Sequence, residues 1–239
     1  MIGSERRCVW LRLATAFAVA VAGTALPGCQ SVDNSSYSET QVRVIDASYN
    51  APPVDVDMAT TPIATNIGPA TFTHYAFLPP ENTTAYIYPT GTKTGGVSVA
   101  GQFLIDQQHS IFITDSGKSY TATLLSDQAT AAPAGYFSIR FLHQALKAGA
   151  VDIYVVPDGS KLTDAKPLFT DVTPQSVEGY SNVPAGTYTV VITPTGVTTT
   201  PSATSSIQFT AGQVRTALIM DAQLTTNPPV TVTIGNDVN

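Results

Sequence analysis

The segment VPAGTYTVVITPTG, Val183–Gly196, decides how this chain folds. Pro184-Ala-Gly186 is a turn signal, because proline presets φ and glycine accepts conformations closed to other residues. It feeds a Thr-Tyr-Thr-Val run of β-branched and aromatic residues, and Pro194-Thr-Gly196 closes that run, so a strand is expected over Thr187–Thr193. Outward in both directions the texture repeats: short β-branched runs between clusters of Gly, Pro, Asn and Asp, with no sustained helical period. The chain reads as all-β.

It also reads as duplicated. Val42-Arg43-Val44-Ile45 followed by Val54-Asp55-Val56 has a counterpart in Ile139-Arg140-Phe141-Leu142 followed by Val151-Asp152-Ile153, with an Arg-to-Asp spacing of 12 in both. A second landmark agrees: Tyr75-x-x-Leu78-Pro79 precedes Pro89-Thr90-Gly91 as Tyr180-x-x-Val183-Pro184 precedes Pro194-Thr195-Gly196. The expected organisation is a signal peptide over 1–28, a polar tether over 29–38, a first sandwich over 39–127, a short Ala/Pro linker over 128–135 that allows limited bending, and a second sandwich over 136–239. Seven strands are placed in each copy. In the first they fall near 42–45, 54–58, 70–77, 85–88, 102–105, 110–114 and 119–125, and in the second near 136–142, 151–156, 176–180, 187–193, 205–209, 214–221 and 230–234. A copy of that size matches an immunoglobulin-like sandwich.

The motif set V-R-V-x-D near the start, V-D-V or V-D-I, V-P-A-G-T-Y-T-V and I-T-P-T-G resembles the bacterial domain of unknown function numbered 4397. The resemblance implies two tandem immunoglobulin-like or transthyretin-like antiparallel β-sandwiches outside the cytoplasm. It assigns no activity and no binding residues. The second copy carries the better match, and the first departs at Leu78-Pro-Pro-Glu-Asn-Thr-Thr84.

The N-terminus carries an address. Arg6, Arg7 and Arg12 flank an apolar stretch, Leu13–Leu26, that ends in Leu26-Pro27-Gly28-Cys29. Its 14 residues fall short of the roughly 20 that a membrane-spanning helix needs. The junction resembles the bacterial lipobox, which implies cleavage before Cys29 and lipidation of its thiol. Gln30 in place of aspartate favours an outer membrane, with the body periplasmic or surface-facing. Cleavage would lower the basic residues from 11 to 8 and the acidic ones from 17 to 16, shifting the net charge from −6 to −8. An acidic body gives no footprint for nucleic acid. Loss of Cys8 leaves Cys29 as the single cysteine, so no internal disulfide can form.

Several residues invite a functional reading. Arg43 with Asp55, and Arg140 with Asp152, are expected to form cross-strand ion pairs that fix register, with a duplicated ligand site as the alternative. Asp55 and Asp57 share a strand face and with Asp46 outline a calcium reading, but Tyr154 replaces the counterpart of Asp57 and the spacing is not that of an EF-hand. Asp158–Asp164 reads as a turn. His74, His109 and His143 lack ligand spacing, and no nucleophile elbow or phosphate-cradling loop occurs. Tyr86 and Tyr88, with Tyr49, Tyr75, Tyr120 and Tyr180, read as packing aromatics, with sugar stacking as the alternative. The polar loop Thr195–Ser202 is an unspecific contact surface.

The sequence therefore leads to expect no catalytic residues, no metal and no cofactor. It describes a module held to the membrane through the lipid on Cys29, whose partner is an envelope protein, or, alternatively, a glycan or other small ligand. An enzyme with a spatially assembled site is the remaining alternative.

Overall fold

The computed structural model describes residues 38–115, 119–204, 206–222 and 230–238, so the expected signal peptide, most of the tether and Cys29 lie outside the described residues. The first copy supplies β1 (Thr40–Ala47), β2 (Val54–Met58), β3 (Thr61–Ile67), β4 (Thr71–Phe72), β5 (Ala76–Leu78), β6 (Glu81–Pro89), β7 (Val97–Phe103), β8 (Gln108–Asp115) and β9 (Tyr120–Asp127). The second supplies β10 (Tyr136–His143), β11 (Val151–Pro157), a 3-10 turn (Leu162–Asp164), β12 (Phe169–Val172), β13 (Val177–Pro184), β14 (Gly186–Pro194), β15 (Ser202–Ala203), β16 (Ile207–Phe209), β17 (Val214–Asp221) and β18 (Val230–Val238).

Each copy is a sandwich of two sheets. In the first, β4-β1-β8-β9, with β5 also on β1, faces β3-β2-β6-β7; in the second, β13-β10-β17-β18 faces β12-β11-β14-β15, with β16 also on β14. The sheets are not wholly antiparallel as expected. β1 pairs in parallel with β8, and β10 with β17, because the chain crosses to the other sheet between the two strands and returns at the end where it began.

Alternation along the strands builds a core within each sandwich and one between them. Val42, Val44, Ile111 and Ile113 point inward with Val54, Val56, Ile87 and Phe103 to fill the first sandwich. Ile139, Phe141, Ala217 and Ile219 do the same in the second, with Ile153, Val190, Ile192 and the stacked rings of Phe137 and Phe209. The opposite faces of β1 and β8 present Ile45, Ala47 and Phe112 to Leu142, Leu218 and Met220 of β10 and β17. The described residues thus form one compact unit of four stacked sheets, with the β1 and β10 sheets in the middle.

The linker is tied to the second sandwich. Ala132 is buried and donates its N–H to Gly212, Ala185 donates to Gly135, and Ser138 donates to the Gln128 side chain. These bonds satisfy backbone groups of the segment against the second sandwich and restrict the bending it allows.

Candidate functional site

The densest gathering of chemically capable side chains lies between the sandwiches. The parallel registers set Arg43 beside Ser110 and Arg140 beside Thr216. Arg43 Nε donates to Ser110 Oγ at 2.8 Å, and Arg140 Nε to Thr216 Oγ1 at 2.9 Å. Each hydroxyl in turn donates a hydrogen bond to the carboxylate at the end of its sandwich, Ser110 to Asp127 and Thr216 to Asp237, both at 2.6 Å. Tyr75 and Tyr180 donate to the same two carboxylates, again at 2.6 Å, and place their rings against the guanidinium groups at 4.8 and 4.9 Å.

The ion pairs then cross between sandwiches. Arg43 Nη2 meets Asp237 Oδ1 at 2.6 Å and also donates to Thr216, while Arg140 Nη2 pairs with Asp127. Arg43 Nη1 donates to the Asn236 carbonyl, and Arg140 Nη1 to that of Ser126. The contact is reciprocal, as in an isologous interface where each half offers the other the same patch.

All four charges are buried. Burial opposes the charge of Arg43, but Asp237, Tyr75 and Asp127 outweigh it and hold its pKa above the ordinary value. Burial, reinforced by Asp127 and Asp237 respectively, pushes the hydroxyls of Tyr75 and Tyr180 up, so both remain protonated donors. The three hollows described on the surface are lined by other residues. What this arrangement does chemically is hold two sheets in one orientation.

An outer set of contacts supports it. Asp115 accepts the N–H groups of Tyr49 and Asn50, and Asp221 accepts that of Lys147. The Tyr49 hydroxyl accepts the Asp221 N–H, and Gln175 donates to the Asp115 carbonyl, so both contacts span the junction.

The expected Arg43–Asp55 and Arg140–Asp152 pairs do not form. β1 and β2 belong to different sheets, as do β10 and β11, and each arginine points to the junction. Asp55 instead accepts N–H bonds from Asn66 and Gly91, and Asp152 from Asp171 and Gly196. The Gly91 and Asn66 bonds, with Thr90, hold the Asp55 carboxyl below its ordinary range. The duplicated aspartates tie down the duplicated Pro-Thr-Gly turns.

The three carboxylates of the calcium reading have separate employments. Asp46 accepts from Ser48, Asp55 serves its turn, and Asp57 pairs with Lys93 at 2.5 Å. Among the described residues there is no cluster of three or more metal-ligating side chains. His74 is exposed, while His109 and His143 are buried and held below the usual imidazole pKa, chiefly by burial. His143 bridges the Gly149 carbonyl and the Ala145 N–H; His109 packs edge-on to Phe103 at 5.2 Å. Asp158–Asp164 contains the expected turn, with Gly159 at φ 77°. Tyr86 and Tyr88 stack at 6.2 Å on one face of β6.

The fold and the reciprocal junction define a class, the tandem β-sandwich with a shared central core. Residues 40–154 match the family described as "Domain of unknown function (DUF4397)", so the resemblance is borne out over β1 to β10 and the start of β11. That stretch covers the first copy and the linker and reaches only the start of the second copy, where the better match was expected. Among solved structures, a "putative cell adhesion protein" from Bacteroides uniformis ATCC 8492 aligns over 84% of this chain and 100% of its own at 10% identity, with a TM-score of 0.26, a likeness too slight to carry an argument. No curated protein matches. Neither comparison names a catalytic family.

Proposed function

We propose that this protein is a lipid-anchored, non-catalytic module of the bacterial cell envelope, held to the outer membrane through the lipid on Cys29, that presents a rigid surface to an envelope protein. The observation that carries the reading is the crossed, buried pairing of Arg43 with Asp237 and Arg140 with Asp127. It commits four buried charges to rigidity and joins two sandwiches into one body. Leu26-Pro27-Gly28-Cys29 supports the address.

Two measurements test it. Labelled palmitate is incorporated into the native chain and not into Cys29→Ala; equal labelling of both removes the anchor. In-cell crosslinking followed by mass spectrometry captures one abundant envelope protein with the anchored form and not with Cys29→Ala. Failure to capture any protein, together with a rise in melting temperature on adding an envelope glycan, would transfer the assignment to ligand binding.

A further inference from the structure

The duplication allows one end of the first sandwich to be compared with its own copy. Glu39 and Thr40 are where the chain enters that sandwich from the direction of Cys29. They are flanked by β5, whose Phe77 pairs with Gln41, and by the turn after β7, whose Asp106 donates to the Glu39 carbonyl and whose Gln107 accepts from Gln41. Three apolar side chains stand out into solvent there: Phe77 at 61% exposure, Leu104 at 40% and Ile105 at 47%. Pro80 and Leu104 border one hollow of this end, and Pro79 and Leu78 the next.

At the three matching positions the second sandwich carries polar or small residues, although Tyr136, the counterpart of Glu39 at this end, is itself 42% exposed. Asn182 takes the register position of Phe77, pairing with Ser138 as Phe77 does with Gln41. The turn Thr210–Gln213 repeats Leu104–Gln107, down to the bond from its last N–H to its first carbonyl at 3.3 Å and the bond from its third N–H to the chain start, here Gly212 to Tyr136. Thr210 and Ala211 thus stand where Leu104 and Ile105 stand, and both are exposed. The core does not dictate the difference, because the fold is the same and all these positions face solvent, while the linker touches the second turn at Gly212 rather than at Thr210 or Ala211.

We infer that Phe77, Leu104 and Ile105 form a lipid-contacting rim that seats the first sandwich on the surface of the membrane carrying the Cys29 anchor. The inference rests on the proposed lipidation. The nine residue-to-residue steps from Cys29 to Ser38 extend no more than about 32 Å at roughly 3.5 Å each, so the anchor keeps this end within reach of the headgroups. A protein already tethered needs only a few apolar side chains to bias its orientation. Three side chains fall far short of the roughly 800 Å² per partner that a stable protein interface buries, which argues against a second copy. Exposed Glu39, Glu81 and Asp106 surround the rim and remove any attraction to anionic lipid, so the fitting surface is zwitterionic.

The test uses the mature lipidated protein in phosphatidylcholine vesicles. With Cys29 occupied by lipid, Ile105→Cys offers one thiol for an environment-sensitive fluorophore, and Ala211→Cys places the same probe at the matching turn of the second sandwich. The rim is supported if brominated phosphatidylcholine quenches the probe at 105 several-fold more than at 211. It is also supported if adding Phe77→Asn and Leu104→Thr, the second sandwich's own residues, abolishes that quenching without changing the melting temperature. Equal quenching at both sites, or quenching that survives those substitutions, overturns it, as does a blue shift at 105 that requires no vesicles, the sign of a second copy. An intact mass lacking the lipid overturns the anchor and this inference together, whereas a lipidated mass with equal quenching overturns the rim alone.

Discussion

Arg43 shows how one side chain can be at once indispensable and replaceable. Breaking a buried pair strands the surviving charge and costs about 3–5 kcal/mol, while replacing both members by apolar groups is often neutral. Arg43→Met should therefore lower stability by about that amount, and Arg43→Met with Asp237→Leu should recover much of it, both read from urea denaturation. Additive losses in the double mutant would contradict the pairing. The buried histidines make a second prediction. Their folded-state pKa is depressed, so their contribution is fully present above the unfolded value of about 6.5 and is lost as pH falls through the folded value. His109, which packs edge-on to Phe103, should be replaceable by phenylalanine. His109→Phe should flatten the fall in the urea midpoint below pH 6.5 relative to the native chain, and an unchanged slope would clear His109 of that role.

Strands repeat this economy on a larger scale. β1, β8, β10 and β17 are buried on both faces, and β17 says so in the sequence: VRTALIM lacks the alternation that β9 shows. The duplication and the major strands were legible from the same periodicity. β3 and β12 were not, because they are edge strands, short on apolar residues and, in β3, interrupted by Pro62 and by Asn66 at positive φ. The partners of Arg43 and Arg140 were illegible for another reason. Spacing within a repeat pointed to Asp55 and Asp152, whereas the actual partners sit at the last strand of the opposite copy. The available clue was the duplication of Asp127 and Asp237 beyond Tyr75 and Tyr180. The fit between sandwiches is close at β18, where a Cβ on Gly235 would stand 2.4 Å from the Phe72 ring. Gly235→Ala should cost about 1–3 kcal/mol, as overpacking does, and Phe72→Leu should relieve part of it; melting temperatures of the three variants would decide.

Over the whole molecule, a shared central core means that neither sandwich can unfold without exposing the other's Ile45 or Leu142 face. Denaturation should follow one transition, coincident by tyrosine fluorescence and circular dichroism, and two resolved transitions would show independent sandwiches. A protease site inserted after Thr130 should leave the cleaved halves co-eluting in gel filtration, with little loss at high salt because buried pairs are weakly screened. The reciprocal junction has a consequence for how such a protein can change over generations. In an assembly of two identical chains every substitution arrives twice, once in each half, and must be tolerated in both places. Written into one gene, the two halves are free to differ: Phe77 can arise without imposing its like on Asn182, and a shape that began as a pair of equals acquires a top and a bottom.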